Sequence, residues 1–400
     1  MPVDTPNDLG PAIDQIINAA QDEIIATRRD LHAHPETGFD LPRTAAVVAN
    51  ALRDMGLTPQ EGVGRIGVVA DVTGALPGPC VILRADMDAL PIEEKTGLPF
   101  ASTIPGKMHA CGHDMHTASL LGAAKAIAAL QPKLKGTIRL VFQPAEETTD
   151  SGAAAMIEDG VLEGADMAVG FHNMPDMPAN DIKLTQGASM ASCDDFQVIV
   201  KGVSGHAAHP HSAMDPIVGA ASIIMQLQTI VSRRMNPTDP FVLTIGKIKG
   251  GDTENIIPDS CEFAGTIRCR SAESRALAEE CLFAICQDGA RAMGLEAEVI
   301  FDHGVPPFLN DAKMVSRAET ALSAHFNRAI PVISRSEFGC EDFALFAEAL
   351  PSLHFLVGSG QPGREDRLHN SDYQPDESSL TTSAKALARL AFELTAHDIA

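Results

Sequence analysis

Residues 80–91 read CVILRADMDALP. The first five residues predict a short buried strand, and Asp86 and Asp88 follow it. Because residues two apart in an extended chain point the same way, the two carboxylates leave the sheet together. Strand and helix then alternate, which predicts an α/β fold with a mostly parallel sheet and a ligand site at its carboxyl edge. The next predicted elements are a helix at 117–130, a strand at 137–142, a helix at 152–159 and a strand at 167–171.

Between residues 193 and 301 the predicted order changes to strand, helix, strand, strand, helix, strand. That order is typical of a ferredoxin-like α+β module. Strand-like and helical patterns resume after the module. The sequence therefore predicts a discontinuous catalytic domain at 1–190 and 302–400, with a second domain inserted at 191–301.

The composition is that of a folded globular protein. Of 400 residues, 45% are apolar and 21% are charged, and the net charge of −23 would repel nucleic acids and anionic membranes. No apolar stretch approaches the roughly 18 residues of a membrane helix, and no signal peptide is recognisable. The eight cysteines include no C-x-x-C pair. We therefore expect a cytoplasmic protein that binds neither nucleic acid nor membrane.

Residues with metal-ligating side chains follow the predicted strands. The segment 108–116, MHACGHDMH, holds three histidines, a cysteine and an aspartate just before a helix. Glu146 and Glu147 follow the strand at 137–142, His172 is predicted to end the next strand, and His369 lies after a glycine-rich turn. This set predicts a metal site in which one glutamate ligates the ion and the other acts as a base toward water.

The motifs resemble the hippurate hydrolase branch of the aminoacylase/carboxypeptidase metallopeptidase family. This branch includes bacterial N-acyl-amino-acid amidohydrolases and plant hydrolases of indoleacetyl-amino acid conjugates. The resemblance implies a zinc-peptidase-like catalytic domain and an inserted lid domain that mediates dimer contacts. The motifs that carry it are HAHPE at 32–36, RADMDALP at 84–91, MHACGHD at 108–114, QPAEE at 143–147 and LH at 368–369.

The resemblance also implies roles for residues of the catalytic domain. Glu146 would be the general base and acid, Asp88 would orient a metal ligand, and Asp86 would support the site without binding the ion. One or two divalent ions (Zn, Mn, Ni or Co) would be held by five further residues. These are Cys111, His113, Glu147, His172 and His369.

The inserted module carries three more motifs that match the family, GHAA at 205–208, NIIP at 255–258 and GTIR at 265–268. By the resemblance, His206 would reach a neighbouring active site and stabilise an oxyanion, and Arg268 would bind the substrate carboxylate. Asn255 is expected to contact substrate as well. The same resemblance implies a homodimer or a higher homo-oligomer.

Taken together, the motifs predict a metal-dependent amidohydrolase that cleaves N-acyl amino acids of hippurate, N-acetyl or indoleacetyl type to a carboxylic acid and a free amino acid. Three alternatives stay open. A dipeptidase or carboxypeptidase would use the same dinuclear mechanism on another substrate. Cys111 could instead be a nucleophile with His113 as its base. The protein could also bind metal and ligand without catalysis.

Overall fold

The computed structural model describes residues 9–334 and 338–396. These residues divide into two compact units. Unit 1 comprises the described residues of Met1–Gly187, Leu309–Arg335 and Leu345–Ala400, and unit 2 comprises those of Ala188–Phe308 and Ser336–Ala344. Each unit is therefore assembled from segments that are distant in sequence.

Helices and strands alternate along most of the described chain. The helices are α1 Gly10–Ala19, α2 Gln21–Ala33, α3 Pro42–Asp54, α4 His113–Ala129, α5 Gly152–Glu158, α6 Pro216–Thr229, α7 Ala272–Ala292, α8 Ala312–Phe326, α9 Ala344–Ala349 and α10 Ser379–Ala396. The strands are β1 Gln60–Val63, β2 Gly67–Thr73, β3 Leu76–Asp86, β4 Lys135–Gln143, β5 Met167–Pro178, β6 Ile182–Thr185, β7 Gly187–Met190, β8 Asp194–Lys201, β9 Gly205–His206, β10 Phe241–Gly250, β11 Ile256–Ile257, β12 Ser260–Cys269, β13 Glu296–Asp302, β14 Phe308–Asn310, β15 Val332–Ile333 and β16 Ser352–Gly360.

Unit 1 is built on a sheet whose described strands follow the order β1-β2-β4-β3-β5-β16-β6-β15. The central strands β4, β3, β5 and β16 run parallel to one another, and β2 and β6 flank them antiparallel. In the β3–β4 register, Asp86 pairs with Gln143 at the carboxyl end of both strands. The predicted α/β fold with a mostly parallel sheet is confirmed, and the carboxylates that follow β3 and β4 leave the same edge.

Helix α4 lies in the core of unit 1, where nearly all of its side chains are buried. A Cβ atom at Gly122 would lie 2.7 Å from Cδ1 of Ile24 in α2 and 3.2 Å from Cβ of Ala384 in α10. The small residues of α4 thus let two helices approach closely on its faces. Because α4 begins at His113, this packing fixes the position of a predicted metal ligand.

Unit 2 contains β8, α6, β10, β12, α7 and β13 in chain order, which is the βαββαβ arrangement of a ferredoxin-like fold. Its sheet has the order β10-β12-β8-β13 with antiparallel neighbours. Asp215 caps the N-terminus of α6, and Ser271 caps that of α7. The apolar faces of both helices pack with the sheet in one core. A role of this unit in dimerisation stays a prediction.

Several elements differ from those predicted from the sequence. Helical spacing over residues 13–31 predicts one helix, but the chain breaks at Ala20 into α1 and α2. Strand β5 continues to Pro178 because β16 pairs alongside it, so His172 lies inside a strand rather than at its end. Helix α8 was not predicted. Among the described residues, no helix combines the length and the apolar character that a membrane span requires.

Candidate metal centre

The first part of the candidate site is the turn that follows β4. The carboxylate of Asp88 accepts two backbone hydrogen bonds. The N–H of Glu146 donates to Oδ1 at 3.0 Å, and the N–H of Glu147 donates to Oδ2 at 3.1 Å. Ala145, just before them, adopts the left-handed conformation with φ 52°. Asp88 is buried and faces Nδ1 of His113 at 3.4 Å. One carboxylate therefore fixes both glutamates and also contacts a histidine.

The second part is the segment Cys111–Gly112–His113 at the start of α4. Gly112 has φ 89°, and a Cβ atom there would lie 2.2 Å from Oδ1 of Asn173. Only glycine fits this conformation and this space without displacing a neighbour. The glycine turns the chain so that Cys111 and His113, both buried, lie on the same side of unit 1 as the glutamates.

The third part is His172 on β5. Its Nδ1 donates to the backbone oxygen of Asn173 at 2.7 Å, which leaves Nε2 unprotonated and 3.4 Å from Sγ of Cys111. The backbone N–H of Asn173 donates to Nε2 of His116 at 3.0 Å, and Nδ1 of His116 donates to Asp86 at 2.6 Å. The tautomers of both histidines are thus set by fixed partners.

His369 reaches the site from the loop between β16 and α10. Its backbone N–H donates to the oxygen of Ala110 at 2.9 Å, and its φ is 62°. Its Nε2 lies 3.1 Å from Oε1 of Glu147. The loop is therefore joined to the segment that carries Cys111, and its histidine contacts a predicted ligand.

These side chains offer ligand atoms to a divalent ion. Three overlapping sets have their ligand atoms within 4.8 Å of one another: Cys111 with His113 and His172, Cys111 with Glu147 and His369, and His113 with Glu146 and Glu147. Nε2 of buried His113 makes no hydrogen bond, and the carboxylates of Glu146 and Glu147 lie 3.8 and 3.9 Å from it. Buried polar atoms without partners are costly, and a cation would satisfy them. Thiolate, imidazole and carboxylate ligands suit zinc and related ions.

The electrostatics of the cluster also favour a cation. Burial disfavours a charged His113, but the carboxylates of Asp86 and Asp88 outweigh burial and hold the pKa of His113 well above its ordinary value. Burial, reinforced by Glu147 and Glu146, raises the pKa of Cys111 well above that of a free thiol. The cluster thus attracts positive charge and resists an isolated thiolate.

The other predicted site residues lie in unit 2. His206 is exposed on β9, opposite Ile256 of β11, and the N–H of Ala207 donates to the backbone oxygen of Asn255 at 3.1 Å. The structure therefore brings the His206 and Asn255 segments together. Arg268 lies on β12 and is half-buried.

Comparison with known proteins identifies the family. The sequence profile of peptidase family M20/M25/M40 matches residues 82–393, which is most of the chain. The chain belongs to peptidase family M20/M25/M40. The resemblance inferred from the motifs is confirmed, and the protein is an amidohydrolase of this family.

Individual M20 relatives cover nearly the whole chain. It is 41% identical to an N-acetyl-L-cysteine deacetylase of Bacillus subtilis over 364 residues, 91% of this chain and 86% of the relative. It is 37% identical to the hippurate hydrolase of Campylobacter jejuni over 376 residues, 93% and 97% of the two chains. The crystal structure of the YXEP protein of Bacillus subtilis, described as a dinuclear metal-binding peptidase from family M20, has a TM-score of 0.84, with 35% identity over 95% of this chain and 99% of that one.

Sequence reasoning missed one group of buried residues behind the M20 site. The carboxylate of Asp114 forms an ion pair with Arg28, 2.8 Å from its Nε, and accepts a hydrogen bond from Nδ1 of His32 at 2.8 Å; all three residues are almost fully buried. His32 also contacts Glu94 at 3.3 Å. The segment HAHPE at 32–36 was noticed, but nothing in the sequence paired it with a residue more than 80 positions away.

A second group was also missed. The amide nitrogen of Asn173 donates to the hydroxyl of Tyr373 and, at 3.3 Å, to Ser359. Tyr373 is the single tyrosine of the chain and is fully buried. A signal for this group was present in the sequence: the single tyrosine lies four residues after His369, where it could support that histidine or its neighbours. In the structure it supports Asn173, beside His172.

Proposed function

We propose that this M20 protein is a metal-dependent hydrolase of N-acyl amino acids, which it cleaves to a carboxylic acid and a free amino acid. The observation that carries the proposal is the convergence of one thiol, three imidazoles and one carboxylate on one cluster, in which Cys111, His113 and His172 are buried and His369 is exposed. The names of two relatives, N-acetyl-L-cysteine deacetylase and hippurate hydrolase, support small acyl groups on an amino acid as substrates.

Cys111, His113, Glu147, His172 and His369 would hold one or two divalent ions. A bound ion supplies Lewis acidity toward water and toward the amide carbonyl. The role of Glu146 is to accept a proton from the attacking water and to pass it to the leaving amine. It suits this role because Asp88 holds the backbone N–H groups of both glutamates, while Glu147 contacts His369 and is thereby placed as a ligand.

Residues of unit 2 would complete the reaction. Arg268 would pair with the free carboxylate that every N-acyl amino acid carries, and Asn255 would contact the same substrate. His206 would donate to the oxyanion of a neighbouring subunit in a homodimer or higher homo-oligomer. The exposed apolar side chains of Met225 on α6 and Ile248 on the edge strand β10 support assembly through unit 2. Light scattering after size-exclusion chromatography measures the oligomeric state directly.

The first test measures the metal content of the purified protein together with its hydrolytic activity. The substrates are N-acetyl, N-benzoyl and N-indoleacetyl amino acids and a set of dipeptides, before and after chelation and after metal restoration. Loss and return of amide hydrolysis with the metal is the expected result. Preferential hydrolysis of dipeptides would instead favour the dipeptidase or carboxypeptidase alternative, and bound metal with no turnover of any substrate would favour a binding protein.

The second test changes the proposed base. Glu146→Gln should retain metal and lose roughly 10²–10⁴-fold in turnover, the usual contribution of a general base. Glu319→Gln, which removes an exposed carboxylate on α8, is the matched control and should behave as the wild type. Near wild-type turnover in Glu146→Gln would eliminate this glutamate as the base.

The same preparation discriminates the cysteine-nucleophile alternative. Burial and the nearby glutamates raise the pKa of Cys111, which disfavours the thiolate that a nucleophile requires. Activity that survives complete chelation would nevertheless support that alternative.

A further inference from the structure

Two cysteines of unit 2 form a pair that the proposed reaction does not use. Cys193 lies directly before β8, and Cys340 lies before α9. The backbone N–H of Ala191 donates to the oxygen of Gly339 at 3.0 Å and joins the two segments. The thiol of Cys340 is hydrogen-bonded to the sulfur of Cys193. Cys193 is half-buried and Cys340 is exposed, so solvent reaches the pair.

The charges around this pair favour one thiolate. The hydrogen bond from Cys340 is the main cause that lowers the pKa of Cys193 to about 7, and Arg268 contributes in the same direction. Burial and the carboxylates of Asp195 and Asp194 act in the opposite direction. The hydrogen bond to Cys193 raises the pKa of Cys340. Near neutral pH the pair therefore holds one proton, and Cys193 carries much of the negative charge.

The other thiols of the same unit differ. Burial raises the pKa of Cys269 and of Cys286 to about 12, and both are fully buried in the apolar core. A thiolate near neutral pH, a solvent-accessible partner and an adjacent guanidinium are the features of reactive cysteines. In unit 2 these features coincide at Cys193 and Cys340.

We propose that Cys193 and Cys340 are a reversible redox site that reacts with low-molecular-weight disulfides such as glutathione disulfide. The thiolate of Cys193 attacks one sulfur of the small disulfide, whose S–S bond breaks and releases one thiolate. The thiol of Cys340 then passes its proton to this released thiolate and attacks the sulfur of Cys193, which breaks the mixed disulfide and releases the second small thiolate, protonated by water. Two protein thiols are oxidised, and one small disulfide is reduced to two thiols.

The redox state also bears on substrate affinity, a consequence that rests on the proposed function. The guanidinium of Arg268 donates to Cys340 and lies near the charge of Cys193. A protein disulfide carries no charge and offers no acidic proton, so it competes less with a substrate carboxylate for this arginine. Oxidation should therefore lower KM severalfold and leave kcat unchanged.

The test uses the full-length, metal-loaded protein at pH 7. After treatment with glutathione disulfide, the intact mass should fall by two hydrogen atoms and return on reduction, and peptide mapping should join Cys193 to Cys340. Cys340→Ser should stop at a glutathione adduct on Cys193. Cys193→Ser should form neither product quickly. Cys80→Ser, which removes a half-buried thiol of unit 1, is the control and should react as the wild type.

A second readout does not depend on oxidation. The rate of alkylation of Cys193 by iodoacetamide, located by peptide mapping, should rise with pH through a midpoint near that of its lowered pKa. The midpoint should move to higher pH in Cys340→Ser, because the hydrogen bond that stabilises the thiolate is weakened.

Two results would overturn the redox site: glutathione adducts without an intramolecular disulfide in the wild type, or alkylation of Cys193 no faster than that of Cys80. Circular dichroism checks that the variants fold, and the wild-type mass and alkylation measurements need no variant. If the disulfide forms but no N-acyl amino acid is hydrolysed, the redox site stands and the proposed function fails. If hydrolysis occurs with the same KM in both redox states, the proposal that oxidation frees Arg268 for the substrate is wrong.

Discussion

The replacement Gly112→Ala tests the geometry of the metal centre most directly. Gly112 has φ 89°, and a Cβ atom would lie 2.2 Å from Oδ1 and 2.7 Å from Nδ2 of Asn173. The left-handed conformation costs an alanine about 1–2 kcal/mol. Displacing a packed neighbour costs a further 1–3 kcal/mol, as typical for overpacked sites. We therefore expect the free energy of unfolding to fall by about 2–5 kcal/mol.

The replacement should also weaken metal binding. Asn173 cannot move freely, because it is bonded to Tyr373 and Ser359, and its backbone N–H is bonded to His116. The added methyl group must therefore displace the segment that carries Cys111 and His113. A displacement of two ligands relative to the other three should lower metal affinity even in the fraction of protein that is folded.

Gly97→Ala is the matched control. Gly97 also has a left-handed conformation, with φ 69°, but nothing lies within 4 Å of the Cβ position. Its variant should therefore lose only the backbone contribution and should bind metal normally. Urea unfolding of the chelated proteins measures stability, and calorimetric titration with Zn²⁺ measures affinity. If Gly112→Ala and Gly97→Ala lose equal stability and both keep full metal affinity, the contact with Asn173 does not constrain the site.

Three further predictions concern the residues around this site. Cys111→Ser should lower zinc occupancy, measured by elemental analysis after dialysis, because a hydroxyl is a poorer zinc ligand than a thiolate; unchanged occupancy would remove Cys111 from the ligand set. Tyr373→Phe should cost about 1–3 kcal/mol in urea unfolding, because the buried amide of Asn173 loses an acceptor; a smaller loss than in a surface control such as Thr320→Ala would contradict this. Burial raises the pKa of Asp114, but Arg28 and His32 outweigh burial and hold it well below its ordinary value. The ionised carboxylate of Asp114 therefore stabilises the folded protein above the ordinary aspartate pKa of about 3.9, and this stabilisation is lost as the pH falls below it. Asp114→Asn should thus cost about 3–5 kcal/mol at pH 7, and the difference from wild type, followed by urea unfolding across pH, should shrink in acid.

The sequence predicted much of the fold because its apolar runs are short and regularly placed. Val81, Ile82 and Leu83 are buried in the middle of a parallel sheet, so consecutive residues of this strand are apolar rather than alternating with polar ones. The break at Ala20 could not be predicted, because both halves of residues 13–31 keep helical spacing. His172 was placed at a strand end for a similar reason: the length of β5 depends on its pairing with β16, and the sequence of one strand does not contain that information.

Part of the candidate site followed from the same reasoning. Asp88, Glu146 and Glu147 follow neighbouring parallel strands, so their proximity is a consequence of the topology. Neither Asp114 with Arg28 and His32, nor Asn173 with Tyr373, belongs to such a pattern. Their contacts join segments distant in sequence, and histidine, asparagine and tyrosine have no period that would reveal a partner.

The arrangement around Asp88 explains why two adjacent glutamates need not be interchangeable. Both backbone N–H groups are bound by the two oxygens of one buried carboxylate, and Ala145 turns the chain just before them. With the backbone held at both residues, the two side chains cannot exchange positions by a small rotation. Glu147 contacts His369 and Cys111. Burial raises the pKa of Glu147, but these two contacts and the charge of His113 outweigh burial and lower it. Glu147 therefore stays ionised, as a metal ligand must. Glu146 lies beside His113, with its carboxylate 3.8 Å from Nε2, a position that suits the proposed exchange of a proton with water.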